Sequence, residues 1–421
     1  MPRFGDGLDA VTAFTGAAVA GMSLFLPFTY AAEDAIDSPY QVTSLVNSVP
    51  RAAALGLIVA VVLAVMVRPV RAPGLVWLTA TCGALALGIN HVIGNAVTSA
   101  NVLTTQNYLD SLFGGVVFGA LGICALRRRW SAFGFGLGAV TVFVYGEVVA
   151  VFTSNTSSLA DKAVHTPTWL IAVAIVCLIA NTLRHRHGVM LPAVPRLAAD
   201  LPITPIVATT VLALSLLLAT EWLAREFDGR RSNGGQIAIA VAVTILAALV
   251  AALLLPGRDG TGLLLAVSVA ATADSLSDAT NLGWSILLVF GAASAGILTG
   301  LRWSKPAAVL LGAAAVCVLA LVAERLPLAW GLGAVSVSAL AGYTFGATRV
   351  SYLPSAVLAL GALYLPSILW SIPTRLRQWP SGATPVSEDT PAAAALAITA
   401  GAGAAIALLY RIRPRAEAAA R

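Results

Sequence analysis

Runs of apolar residues, each about 17 to 25 positions long and separated by short charged or Pro/Gly-rich breaks, recur along the whole chain. A run of that length crosses a hydrocarbon core of about 30 Å at a rise of 1.5 Å per residue. The runs lack the apolar/polar alternation of a barrel strand, and a backbone in lipid must satisfy its own hydrogen bonds, so each predicts a helix. The predicted helices span 11-30, 52-67, 74-94, 108-126, 133-153, 167-184, 203-222, 235-255, 261-275, 282-300, 306-323, 328-346, 353-372 and 391-410. The thirteenth is interrupted or flanked by Pro354, Pro366 and Pro373. The expected fold class is therefore all-α and polytopic, with about fourteen transmembrane helices.

Composition agrees: 58% of residues are hydrophobic, 10% are charged and mean hydropathy is +0.88. Soluble globular domains carry about 25% charged residues. Cys82, Cys124, Cys177 and Cys317 each lie within an apolar run, without metal-ligand spacing, and read as small core residues. Most of the 25 lysines and arginines fall in alternate connections. Basic loops translocate poorly, so this alternation places both termini in the cytoplasm of a cell whose inner or plasma membrane holds the chain. Arg127-Arg128-Arg129, Arg184, Arg186 and Arg413 are then cytoplasmic. The first apolar stretch ends in Tyr30-Ala31-Ala32, which resembles a signal cleavage site. Its match to a later helix argues against cleavage.

That match belongs to an apparent internal duplication. Ser23-Asp34 (SLFLPFTYAAED) pairs with Ser215-Glu226 (SLLLATEWLARE), and the segment from Gly74 with the segment from Gly262. Phe118-Ser131 (FGALGICALRRRWS) pairs with Phe290-Ser304 (FGAASAGILTGLRWS), in the same order along the chain. The expected organisation is an N-terminal six-helix half at 11-184, a cytoplasmic connection at 185-202, a C-terminal half at 203-346, and an extra helix pair at 353-410. An even number of helices per half makes the two halves parallel, related by an axis along the membrane normal.

In this topology, across residues 11-346, the chain resembles the major facilitator superfamily of membrane transporters. The superfamily's cytoplasmic signature after the second helix is absent, since Arg68-Pro-Val-Arg-Ala-Pro-Gly74 lacks its acid. The corresponding Pro256-Gly-Arg-Asp-Gly-Thr-Gly262 keeps an Arg258/Asp259 pair and glycines in altered order. The resemblance implies alternating access, with the first, fourth, seventh and tenth helices lining the pathway. Near mid-membrane these carry only mild polar groups such as Thr15, Ser23, Thr209, Thr210, Ser215 and Ser294. The expected cargo is therefore a small amphiphilic or weakly polar molecule.

Ionisable groups within a bilayer are costly and hence candidates for function. Glu147 lies about six residues, or about 9 Å, from the outer end of its helix and suits a protonatable carboxylate. His91, beside Asn90, titrates near neutral pH when unperturbed. Asp110 and Asp274 occupy the same predicted outer side. For each, the plainer reading is a helix-end or interior side chain satisfied by a neighbouring helix. The glycine patterns Gly115-x-x-x-Gly119 and Gly134-x-Gly136-x-Gly138 suit close helix packing.

No catalytic motif, metal motif, cofactor signature or nucleic-acid surface is present in the sequence, so the expectation is a non-enzymatic protein whose partners are the bilayer, a small substrate or an envelope protein. Two alternatives stand beside transport. One is a membrane scaffold or subunit that has the fold without the activity. The other is a polyprenyl-dependent glycosyltransferase, for which Glu33-Asp34 would be the carboxylate pair of a first outer loop.

Overall fold

The computed structural model describes residues 4–25, 39–70, 72–94, 100–152, 168–186, 203–228, 234–276, 285–322, 327–348, 351–372, 386–387 and 389–414. Among these residues all regular structure is helical, and fourteen α-helices follow one another along the chain. Eight are long and apolar enough to cross a membrane, and shorter apolar helices lie among them. The chain is a polytopic all-α membrane protein. Packing divides it into two compact units, Met1–Ile206 and Val207–Arg421.

The first unit contains α1 (Phe4–Phe25), α2 (Pro39–Val67), α3 (Pro73–Gly94), α4 (Ala100–Ala125), α5 (Arg129–Phe152) and α6 (Thr168–His185). Helices α2 and α4 start well before their apolar runs, at Pro39 and Ala100. Apolar length marks only the part of a helix that must lie in lipid, and nothing in the polar residues ahead of it breaks the backbone pattern. Pro39 occupies the first helical position, where its missing N–H costs nothing; Pro50, inside α2, removes one intrahelical bond.

Helix α1 is the central helix of this unit and packs against α2, α4, α5 and α6, while α3 packs on α4 and α6. Its buried face is built from Ala13, Ala17, Val19, Ala20 and Leu24. Small side chains allow close backbone approach, the main source of helix association where lipid is as apolar as the partner helix. The α2–α4 contact shows this most plainly: a methyl at Gly115 would strike the carbonyl of Gly56, and one at Gly119 the carbonyl of Ala60.

The second unit contains α7 (Thr204–Asp228), α8 (Gly234–Leu254), α9 (Gly260–Asp274), α10 (Ser285–Arg302), α11 (Pro306–Val322), α12 (Pro327–Ala347), α13 (Leu353–Gly361) and α14 (Asp389–Ile412). Its central helix is α9, every residue of which is buried. Around α9 pack α8, α11, α12, α13 and α14.

Most of the neighbour pattern of the first unit, though not its α1–α2 and α4–α5 pairs, returns in the second at a spacing of eight helices. The pair α2–α4 returns as α10–α12, α3–α4 as α11–α12, and α3–α6 as α11–α14; α1 against α4, α5 and α6 returns as α9 against α12, α13 and α14. At a spacing of six, the α2–α4 and α1–α5 pairs would have returned as α8–α10 and α7–α11, which are not among the packed pairs. The interface chemistry repeats with the topology. Gly342 meets the carbonyl of Ala293 and Gly346 that of Ile297, as Gly115 and Gly119 meet Gly56 and Ala60. The contact segments read Gly115-Val-Val-Phe-Gly-Ala120 and Gly342-Tyr-Thr-Phe-Gly-Ala347. The segment Ser23–Asp34, which anchored the sequence-level match, lies largely outside the described residues.

The predicted thirteenth helix, 353-372, is not continuous. After α13 ends at Gly361, the chain makes a 3-10 turn at Ala362–Tyr364 and another at Ile368–Ser371. Leu365, between them, is extended (φ −74°, ψ 126°) because the ring of Pro366 excludes the helical conformation from the residue before it. This irregular stretch is buried, with Leu363, Tyr364, Leu365, Ile368 and Leu369 all inside. Helix α14 packs against α8, α9 and α11 and is joined to α9 by a hydrogen bond from Ser268 to Thr399, 3.0 Å. It is integral to the second unit, which the sequence-level view of an appended pair does not convey.

Candidate functional site

Buried carboxylates in a chain this apolar are few, and Asp9, Asp110, Asp259 and Asp274 lie towards helix ends or in turns. At the end of the first unit where α1 begins, Asp9 is almost fully buried, with 2% of its side chain exposed. Arg128, in the α4–α5 turn, and Arg184, near the end of α6, each bring a guanidinium nitrogen to 2.8 Å from its carboxylate. His185 approaches at 3.2 Å and stacks on Trp77 of α3, with ring centroids 5.7 Å apart. Arg184 also donates to the carbonyl of Gly5 at 2.6 Å. One carboxylate thus ties α1, the α4–α5 turn and α6 together. The distribution of basic residues puts the arginines on a common side but does not single out Asp9; an acid in the first turns of a helix that must face a basic loop is the available signal.

The second unit has its counterpart. Asp259, immediately before α9, accepts from the backbone N–H of Ser351 and of Tyr352, both at 2.9 Å, and from the Ser351 hydroxyl at 3.0 Å. Those donors belong to the α12–α13 turn, the equivalent of the α4–α5 turn. Burial pushes the Asp259 carboxyl above the ordinary carboxylate range, although the hydrogen bonds from Ser351 and Tyr352 pull it down. Arg413, after α14, donates to the carbonyls of Leu253 (2.6 Å), Leu255 and Gly257 (2.7 Å), as Arg184 does to Gly5. Gly257 has φ +53°, the left-handed turn conformation that a residue with a Cβ resists. Arg258 lies over the ring of Tyr410, 4.2 Å from its centroid.

The opposite end of the first unit holds the predicted Asp110 and His91, both buried. Asn90 of α3 donates 2.7 Å to the Asp110 carboxylate of α4 and 3.2 Å to the backbone carbonyl of Gln106. Beside them on α4, Asn107 donates to Ser48 of α2 at 3.4 Å and Ser111 to the carbonyl of Ser23 in α1 at 3.0 Å. Four helices therefore converge on a buried polar cluster centred on Asp110. The sequence placed Asp110 and His91 on one side, but not the participation of Gln106 and Asn107, which on paper are ordinary loop-proximal amides.

Asp274, the last residue of α9, is buried and accepts from the backbone N–H of Ser367 at 3.3 Å. That N–H is available because the chain there is irregular. Nearby, the Ser371 hydroxyl donates to the carbonyl of Thr220 in α7 at 2.9 Å. Non-helical backbone within a membrane protein survives only where protein or a water-lined cavity satisfies it, so this stretch is the second notable polar locus. The backbone of Glu147 lies in α5, but its side chain is outside the described residues, as is the Glu33-Asp34 pair. Among the described residues, no group of His, Cys, Asp and Glu could hold a metal ion.

No family model and no curated protein matches the sequence. Solved structures that align with the chain include three transporters. The human organic anion transporter MFSD10 aligns with a TM-score of 0.46 at 12% identity, covering 98% of this chain and 100% of that one. An auto-inhibited peptide transporter of the POT family aligns with a TM-score of 0.45 at 13% identity, covering 97% and 96%. The nucleoside transporter NupG aligns with a TM-score of 0.32 at 8% identity, covering 96% and 99%. The membrane class of the present chain rests on its own helices.

Proposed function

We propose that the protein is a transporter that moves a small amphiphilic or weakly polar molecule across the membrane by alternating access. The observation that carries this reading is the recurrence of one packing scheme, with its clamps, in two units of a single membrane chain. A scaffold needs neither a second copy of the scheme nor buried carboxylates at its polar ends. In this reading the repeated unit is α1–α6 and α9–α14, and α7–α8 is a pair placed between the two copies. The expected boundaries at 185-202 and 203-346 shift accordingly, and the extra helices lie mid-chain, not at the C-terminus.

Asp110, His91, Glu147 and Asp274 are the proposed substrate or proton-pathway residues. The first unit's polar cluster supplies a buried carboxylate, and the irregular segment beside Asp274 supplies backbone groups at membrane depth. Both termini are proposed to be cytoplasmic, in an inner or plasma membrane. The deciding experiment is uptake of a panel of labelled amphiphilic solutes into proteoliposomes, with and without a pH gradient. Uptake driven by the gradient and reduced by Asp110→Asn or Glu147→Gln supports the reading. A correctly folded protein that moves none of the panel would favour the scaffold, docking an envelope partner.

A further inference from the structure

The cluster around Asp110 leaves one buried acceptor unmet. Asn90 gives its amide to the Asp110 carboxylate and to the Gln106 carbonyl. Asn107 gives its amide to Ser48, and Ser111 its hydroxyl to Ser23. What is left over is acceptor capacity: the side-chain carbonyl Oε1 of Gln106 is buried and receives no hydrogen bond. Gln106 is 5% exposed and Asp110 7%. A buried polar atom without a partner costs about 1–3 kcal/mol, and a buried carboxylate held by an amide alone costs more. Gln106 and Asp110 are separated by four residues on α4, so their side chains emerge from the same helix face one turn apart. The ion pairs of Asp6 and Asp9 lie at the other end of this unit.

We infer that the Asp110 carboxylate, oriented by Asn90, and the side-chain carbonyl of Gln106 form a binding site for a monovalent cation. A carboxylate and an amide oxygen are hard oxygen ligands, two of the several that a small alkali ion takes, and both accept the N–H donors of a protonated amine. A single positive charge neutralises Asp110 and satisfies the orphaned Gln106 oxygen together. Asn90 is a positioning residue: its bridge from α3 to two points on α4 fixes the carboxylate.

The inference names the charge of the ligand that the proposed transport reading leaves open, but binding can be measured without transport. The full-length protein in detergent would be melted in choline chloride with increasing NaCl, KCl or ethylammonium chloride, at constant ionic strength. A saturable rise in Tm of about 3 °C with one of these cations is expected, since a ligand bound only by the folded state stabilises it by mass action. A response to Na+ or K+ identifies an alkali site, and a response to ethylammonium alone identifies an amine-recognition site. Asp110→Asn should abolish the shift, and Gln106→Leu should weaken the apparent affinity at least tenfold while the protein remains folded. No shift with any cation, or an undiminished shift in folded Asp110→Asn and Gln106→Leu, overturns the inference. A cation-dependent Tm without uptake of any solute would retain the site and reject the transporter.

Discussion

Asp9 and Arg128 lie 2.8 Å apart although 119 positions separate them, and the same carboxylate reaches Arg184 at the same distance. The carboxylate is buried while Arg128 is about half exposed. The pairing is therefore asymmetric: removing the acid takes the shared partner from Arg128, Arg184 and His185 and unties three segments, whereas removing Arg128 leaves Asp9 with Arg184 and His185. Asp9→Ala is expected to cost about 1–3 kcal/mol and Arg128→Met less than about 1 kcal/mol. Thermal melting of the two variants in detergent measures the ordering, and an equal or greater loss in Arg128→Met would contradict it.

Asp259 gives a pH dependence of definite sign. Its carboxyl is raised by burial, so the folded state holds the proton more tightly than the unfolded chain does. Its contribution to stability is fully present below the unfolded carboxylate pKa and is lost as pH rises through the higher folded value. Tm should therefore carry a component that falls with pH from the ordinary carboxylate range upward. Asp259→Asn removes that component, and a melting series against pH that is identical in both proteins would refute the assignment.

The glycine contacts predict matched effects in the two units. Gly119→Leu forces α4 away from the Ala60 carbonyl of α2, and Gly346→Leu forces α12 away from the Ile297 carbonyl of α10. Each should destabilise by about 2–3 kcal/mol or prevent folding, because backbone cannot yield as a side chain can. The milder Gly119→Ala and Gly346→Ala should lower Tm by smaller and similar amounts. Tolerance of leucine at either position would show that these helices do not touch as described.

Helix α14 tests the shifted repeat. It supplies Thr399 to Ser268 of the buried α9, and Gly403 sits against Leu310 of α11. A chain ending at residue 388 should fail to give monodisperse protein, and the double variant Leu310→Cys/Gly403→Cys should cross-link under mild oxidation. A truncated chain that folds and melts like the full one would make the last helix an appendage, as the sequence pattern suggests.

Much of the fold was legible in the order of residues, because the bilayer imposes a length and a polarity on every crossing segment. Each apolar run contains a helix, the thirteenth only in its first half, and the Gly115/Gly119 pattern marked a true backbone contact. The partnering of those helices was not legible. Alanine- and leucine-rich segments resemble one another at any offset, so the match of Ser23–Asp34 with Ser215–Glu226 was as persuasive as that of Gly115–Ala120 with Gly342–Ala347. Only packing separates the two, since a glycine's meaning depends on which carbonyl lies across from it.

The candidate site divides in the same way. Asp110, His91 and Asp274 were visible as ionisable groups at the predicted outer ends of apolar runs. Asp9 was not, and Asp259 was visible only as half of the Arg258/Asp259 pair, because an acid near a helix end is ordinary until the buried turn it clamps is known. Gln106 was silent for a related reason: an amide is unremarkable in sequence and becomes a chemical fact when its oxygen is enclosed without a donor. Sequence alone determined that this is a polytopic helical membrane protein, because hydrophobic length is a property of contiguous residues. Tertiary structure decided how the helices repeat and where the polar groups converge, because both depend on contacts between residues far apart in the chain.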